Sequence, residues 1–442
     1  MNTLIANITP PLSAARAKQI AQTLDLRALP RDFLDNPYPV YAALRETEPF
    51  KRMPDGSYFL TRHADLVAVY RDAKVFSSDK QVEFGPKYNH APFNQPPYAT
   101  ASGVSPLFEH HTNSLVFNDP PLHTRVRRLI MGALTRRAIE AMEPGLVLLV
   151  DSLLDKIEAK CGGDLIEDFA SAIPVEIIGN LLGVPHAERE PLRAWSLAIL
   201  GALEPALSPE QEALGNRSVT EFLAYLRELV ADRRQHPGDP EHDVLTRLIQ
   251  GEENGDALSE VELLQNCVFL LNAGHETTTN LIGNALISLQ EWPEQREQLK
   301  ADLKQAANDE ERDRIMGLAV DEFLRFESSN QLSNRRALQA TQVNGVELPA
   351  GALLTLCIGA ANRDPAVYAN PEQLDLRRTG NKHLAFGFGV HQCAGLSLAR
   401  LEGRVAIGRF LQRYPDFQLT QAPQRGGRAR FRGFLHAPFS IR

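Results

Sequence analysis

The sequence predicts a mainly α-helical fold with small β-sheets, in a single large domain. Three observations carry this. Helical periodicity is nearly unbroken from about residue 120 to 320. The strand-like stretches are short and gather towards the two ends of the chain. No linker rich in Ser, Gly or Pro separates two halves, and no repeat occurs, although 442 residues alone would suggest two or three domains.

Residues 1–30 read as a loose N-terminal arm with a short helix around Ala14–Leu24, and 31–442 as the domain proper. The segment KRMPDGSYFLTR at 51–62 alternates about a Pro-Asp-Gly turn and predicts a hairpin. Residues 80–117 hold Gly, Pro, Asn and aromatics without a helical period. They predict a long irregular segment, the kind that more often carries function than not. Helices are predicted at 123–142, 143–159, 166–182, 188–204, 209–235, 241–250, 259–291, 294–306 and 311–327. Short strands return at 334–356 around the Asn344-Gly345 turn, and 414–442 mixes strand-like pieces.

The helix predicted at 259–291 stands apart. Ser259 and Glu262 form a capping-box pattern, and Trp292-Pro293 supplies the stop. At 1.5 Å per residue it spans about 50 Å. Its middle is apolar on most faces, which predicts burial. Yet AGHETTT at 273–279 places a Gly, a His, a Glu and three Thr there. Buried polar groups are costly unless partnered.

Composition narrows the function. Hydrophobic residues at 43% and charged residues at 23% exclude a disordered chain. A net charge of −8 argues against nucleic acid as a partner. The four cysteines, Cys161, Cys267, Cys357 and Cys393, are far apart and form no C-x-x-C. This argues against a disulfide framework and a structural zinc cluster, and points to a cytoplasmic location. The first residues lack the apolar core of a secretion signal, and no apolar run of about 18 residues predicts a transmembrane anchor.

Two motif readings fail. His275-Glu276 opens an H-E-x-x-H zinc motif, but Thr279 stands where the second His belongs. The glycine-rich AFGFGVHQCAG at 385–395 has Gln392 where a dinucleotide fingerprint needs Gly. What remains is Cys393 in glycine-rich backbone, ahead of a helix predicted at Leu396–Arg413. A thiolate there gains from the helix dipole and from free N–H groups. Gly387, Gly389 and Gly395 permit close backbone approach, and Phe386 can shield the sulfur from water. This is how a lone thiolate metal ligand is built.

FGFGVHQCAG at 386–395 resembles the haem-binding signature of the cytochrome P450 monooxygenases, F-x-x-G-x-x-x-C-x-G. AGHETT at 273–278 resembles the family's oxygen-activating helix, and Glu322-Phe323-Leu324-Arg325 its E-x-x-R. Asn362-Arg363-Asp364-Pro365 and the stretch from Asp119 to Arg125 are similar to the soluble bacterial members. The likeness runs from about residue 32 to the C-terminus.

The resemblance implies haem b (iron protoporphyrin IX) between the long central helix and the Cys loop. Cys393 is then its axial thiolate, in a pocket that includes Phe386 and Gly395. His123, Arg127, Arg335 and His391 hold the propionates, and Ala273 and Gly274 leave room for oxygen. Glu276 and Thr277 form the acid–alcohol pair that delivers protons. Glu322 and Arg325 form a buried ion pair that holds the haem loop.

One departure concerns substrate. The family usually has Pro-Val where this chain has Ser329-Asn330, in a segment that lines the pocket. The polar run there (Ser329, Asn330, Gln331, Ser333, Asn334) implies a lipophilic substrate bearing an oxygen or nitrogen group; alternatively the run ties its own turn together. Phe84 and Phe93, from a lid at 80–117, and Phe434 complete the expected pocket.

The implied reaction is hydroxylation with O2. Electrons are expected from a separate ferredoxin or flavodoxin with its reductase, since the chain carries no flavin or iron–sulfur segment. Arg125, Arg128, Lys382, Arg400 and Arg404 are expected to form a basic docking patch for it. The protein is expected to be a monomer. A peroxide-driven peroxygenase or a non-catalytic haem sensor are the alternatives; Glu276-Thr277 disfavours the sensor.

Overall fold

The computed structural model describes residues 9–240, 243–253 and 256–441. Its contacts group into two compact units. One comprises Met1–Phe76, Pro144–Ile173 and Thr277–Arg442; the other comprises Ser77–Glu143 and Pro174–Glu276.

The first unit holds the sheets. The predicted hairpin forms, with Phe50–Arg52 antiparallel to Tyr58–Leu60 and Lys51 opposite Phe59. Tyr58–Leu60 runs parallel to Leu353–Cys357, which pairs antiparallel with Leu332–Ala337. In that register Thr355 faces Asn334 and Leu354 faces Arg335. Asn344 and Gly345 turn the hairpin Thr341–Val343 to Val346–Leu348 at φ 46° and 89°, backbone that Asn and Gly adopt at least cost. Near the C-terminus Pro438–Ser440 lies between Gln418–Leu419 and Gly162–Asp164. The helices Asp309–Phe326 and Leu396–Arg413 pack together in this unit.

The arm is not loose where it is described. The Ser13 hydroxyl caps a helix at Ala14–Gln22 by accepting from Arg16 N–H. Ala17, Ile20, Ala21 and Leu24, spaced to share one face, are buried in the same core as Tyr41 and Phe59. The rest of the expected arm, residues 1–8, lies outside the described residues.

The second unit corrects two expectations. Residues 80–117 are not irregular throughout: they form helices Gln81–Tyr88 and Pro106–Asn113. Ser105 caps the latter, accepting from Phe108 N–H at 3.2 Å, with Pro106 at its first position. Asn216 accepts from Leu107 N–H at 3.0 Å, and the Phe84 ring packs at 4.9 Å from Tyr88 and 5.3 Å from Phe117. The helix boundary expected at 142–143 falls instead between Leu122–Ala133 and Arg136–Lys160. Leu134 N–H folds back onto Ile130, and the Thr135 hydroxyl caps the new helix through Ala138 N–H at 3.2 Å. Pro144 sits within that helix rather than before it.

The long helix runs Glu260–Glu291. Its capping box is complete: Ser259 N–H donates to the Glu262 carboxylate at 2.9 Å, and Glu262 N–H to the Ser259 hydroxyl at 3.3 Å.

Candidate functional site

The loop before Cys393 is closed by its own backbone. Cys393 N–H donates to the Phe386 carbonyl at 2.8 Å, and Gln392 N–H to Gly389 at 3.0 Å. Gly387 and Gly389 take φ of 66° and 74°, in the left-handed region. At Gly389 a side chain would also run into the Tyr70 carbonyl. The Phe386 ring lies 5.5 Å from that of His383 and 4.9 Å from the Arg400 guanidinium. The helix Leu396–Arg413 follows, with Gly395 at its N-cap.

The cysteines differ in setting. Cys267 and Cys357 are buried, and burial pushes both thiols up to about 12. Neither forms a thiolate readily. Cys393 is only half-buried, in the loop that opens a helix.

Glu322 and Arg325 are wholly out of solvent. Arg325 donates Nε and Nη2 to the two carboxylate oxygens at 2.8 and 2.7 Å. Its remaining donors reach the carbonyls of Asn362 at 3.0 Å, Pro371 at 2.8 Å and Gln373 at 2.9 Å. Glu322 also accepts from Arg378 at 3.0 Å, Asn381 at 3.1 Å and Asp375 N–H at 2.9 Å. Asn362 completes the brace: it donates to the Ser328 hydroxyl and accepts from Leu384 N–H, both at 2.7 Å. Asn362, Arg378 and Asn381 were not singled out from the sequence as braces. Their partners are 22 to 59 residues away, so no local pattern reports them.

Along the long helix, most side chains from Leu263 to Gln290 are buried. Ala273 is exposed, and Phe269, Gly274 and Thr277 are half-buried. Phe269, Ala273 and Thr277 recur at every fourth residue and form one accessible strip. Glu276 is buried, as is His275, whose pKa burial draws down to about 3. Gly274 has a packing reason: Ile178 Cδ1 lies 2.6 Å from where its Cβ would stand.

His123 is buried and Arg127 half-buried, four apart on the helix Leu122–Ala133 and so on one face. Asp119 anchors its start, accepting from the Ser77 hydroxyl at 2.5 Å and Ser78 N–H at 2.8 Å. Arg335 donates to the Asn334 carbonyl at 2.7 Å and lies 5.2 Å over the Tyr70 ring. His391 is half-buried in the Cys loop.

In the expected substrate wall, most polar groups bond within the protein. The Ser329 hydroxyl donates to the Thr277 carbonyl at 2.8 Å. Gln331 donates to Ser328 at 2.7 Å, and Asn334 to Thr355 at 3.0 Å. Two oxygens of the run, Asn330 Oδ1 and Gln331 Oε1, are buried with no partner among the described residues. Phe84 sits in the aromatic cluster described above. Half-buried Phe93 stacks edge-on with Tyr98, and buried Phe434 lies 4.2 Å under the Arg425 guanidinium.

The arginines expected in the basic patch each have a carboxylate partner. Arg125 pairs with Asp256 at 3.2 Å and with Glu262, Arg128 with Asp256 at 3.6 Å, Arg400 with Asp321 at 2.8 Å and Arg404 with Asp313 at 2.7 Å.

The family model for Cytochrome P450 matches residues 197–431. The chain is 34% identical over 408 residues to the biotin biosynthesis cytochrome P450 of Bacillus subtilis (strain 168), covering 90% of this chain and 95% of that one. It is 35% identical to the vitamin D(3) 25-hydroxylase of Pseudonocardia autotrophica, over 88% of this chain and 89% of the relative. The solved structure of P450BioI with a hexadec-9Z-enoic acid ligated acyl carrier protein superposes with a TM-score of 0.82 at 32% identity. That match covers 93% of this chain and 99% of the other.

The chain belongs to the cytochrome P450 family.

It is a haem b monooxygenase that uses O2, a lipophilic substrate and redox partners. The residues suit that cofactor. Cys393 is half-buried just ahead of a helix, and the accessible strip of the long helix carries Ala273, the smallest side chain available there. None of the described helices is long and apolar enough to cross a membrane.

Proposed function

We propose that Cys393 supplies the axial thiolate of the haem in this P450. The observation that carries it is the contrast among thiols: Cys267 and Cys357 are buried with pKa values near 12, half-buried Cys161 follows the C-terminus of the helix Arg136–Lys160, and half-buried Cys393 stands just ahead of the N-terminus of the helix Leu396–Arg413. When bound, the haem supplies oxygen activation, and a thiolate ligand favours O–O cleavage.

The other roles belong to the chain. Phe386 and Gly395 flank the thiolate, and His123, Arg127, Arg335 and His391 neutralise the propionates. Guanidinium suits a carboxylate because its donors form a planar fork. Thr277 holds a water by its hydroxyl, and Glu276 moves protons to it. Ser329 positions that turn of the helix through its bond to the Thr277 carbonyl. Gly274 is spent on packing Ile178, so the room for oxygen falls to Ala273.

The substrate is a lipophilic molecule with an oxygen- or nitrogen-bearing group, and Phe84, Phe93, Asn330 and Phe434 are the side chains proposed to receive it. The relatives named for a vitamin D(3) hydroxylation and for an acyl-chain complex support a long apolar body. The buried, unpartnered Oδ1 of Asn330 supports a polar group on it. Electrons come from a ferredoxin or flavodoxin with its reductase, and the enzyme works as a cytoplasmic monomer.

Spectroscopy tests the ligand. The reduced carbon-monoxide complex absorbs at the position that names the family, and Cys393→His moves the band to the histidine-ligated position. Retention of the thiolate band in Cys393→Ala would assign the ligand to another cysteine.

A further inference from the structure

Four polar side chains of the second unit form an ordered chain. Gln265 Nε2 donates to the Glu109 carboxylate at 3.2 Å. Gln265 Oε1 lies 3.1 Å from His110 Nδ1, and His110 Nε2 lies 3.3 Å from Asn272 Nδ2.

The direction of every bond follows from the first. Gln265 donates its amide N–H to the Glu109 carboxylate, which leaves its oxygen, an acceptor only, facing His110. Nδ1 of His110 therefore carries the hydrogen. Burial lowers the His110 pKa to about 4, so the ring is neutral and Nε2 is an acceptor. Asn272 must then present its nitrogen to Nε2, which leaves its oxygen pointing the other way.

That oxygen is the unusual atom. Asn272 is 2% exposed, and its Oδ1 is buried with no hydrogen-bond partner among the described residues. A buried acceptor without a donor is costly. Gln265, Asn272 and Glu276 are spaced seven and four apart and share one face of the helix. Asn272 stands one turn before Glu276 and next to the accessible Ala273.

We propose that Asn272 Oδ1 is a locked hydrogen-bond acceptor that reads a hydroxyl on the substrate and selects alcohols over their ether, ketone or hydrocarbon analogues. An amide free to turn would offer its nitrogen to a ketone just as well. The Glu109–Gln265–His110 chain removes that freedom and makes the discrimination one-sided. The proposal rests on the assignment of the accessible helix strip to the haem pocket, and it names the functional group that pocket takes.

The test uses the haem-loaded enzyme and azoles that anchor themselves on the iron: 4-phenylimidazole, its ortho-, meta- and para-hydroxyphenyl analogues, and the matching methoxyphenyl compounds. Binding is read from the ferric haem spectrum. At least one hydroxyl isomer should bind about tenfold more tightly than the parent, the size of one hydrogen bond, while its methyl ether loses the gain. Asn272→Leu should bring that preference, measured as the ratio of hydroxyphenyl to parent affinity, within about twofold. His110→Phe keeps Asn272 but frees its amide, and should reduce the preference in the same way; it serves also if Asn272→Leu fails to take up haem. The proposal is overturned if no isomer gains in the wild type, or if the preference survives in both variants. If the parent azole produces no nitrogen-ligation spectrum at all, the haem-site assignment itself fails and the proposal with it.

Discussion

Arg325 grips both carboxylate oxygens of Glu322 with neither side chain exposed to solvent. The pair is more than an ion pair, because its remaining donors and acceptors are taken by residues 362–381, the stretch that leads into the Cys loop.

Removing either partner should therefore release that stretch. Glu322→Ala leaves a buried guanidinium uncompensated, at about 3–5 kcal/mol. Arg325→Lys lacks the fork and should fail similarly. Both variants are expected to purify with little haem and to unfold at lower urea. Full haem occupancy with an unchanged midpoint would show that the pair does not hold the loop.

Two glycines of the loop should respond differently to one methyl group. Gly389 has φ 74°, and a side chain there meets the Tyr70 carbonyl. Gly389→Ala should cost about 1–3 kcal/mol and disturb the thiolate spectrum. Gly395 has φ −91° and no atom within 4 Å of an added Cβ. Gly395→Ala should unfold at the wild-type midpoint, so any loss it shows is in haem binding. Thermal unfolding with and without haem separates the two effects.

Glu402 makes stability pH-dependent. It is buried with Oε2 unpartnered among the described residues, and burial raises its pKa from 4.5 to about 8. Between those values the unfolded chain has released the proton and the folded one retains it. Stability thus falls as pH rises through that window, by at most about 1.4 kcal/mol per pH unit, and levels off above the folded pKa. Glu402→Gln mimics the protonated acid and should remove this contribution, giving its largest gain near pH 8. Urea unfolding at about pH 6, 7 and 8 measures it; parallel curves for variant and wild type would show that Glu402 does not titrate there.

Thr277→Ala should leave haem and substrate binding intact while diverting electrons to peroxide. Product per electron should fall about tenfold or more, as expected when a proton-transfer group is lost. Ser329→Ala removes only the tie to the Thr277 carbonyl and should give a smaller loss of the same kind. Product and peroxide counted against consumed reductant decide it; unchanged coupling in Thr277→Ala would favour peroxide-driven chemistry.

Read alone, the sequence was enough for whatever depends on near neighbours along the chain. Helices Pro209–Gln235 and Leu396–Arg413 run as their periodicity predicts. The Ser259–Glu262 cap and the Asn344-Gly345 turn also form as expected, because each is settled within a few residues. The family motifs were legible for the same reason, as fixed spacings. Tertiary structure decided the rest. Helices appear within 80–117 because Asn216 receives the second of them and Phe117 packs against Phe84 of the first. Ile178 takes the space beside Gly274, and Thr277 takes the Ser329 hydroxyl. Acids answer the arginines expected to form a basic patch. In each case the partner lies far along the chain, and a side chain's role follows from which groups folding brings within hydrogen-bonding or van der Waals reach.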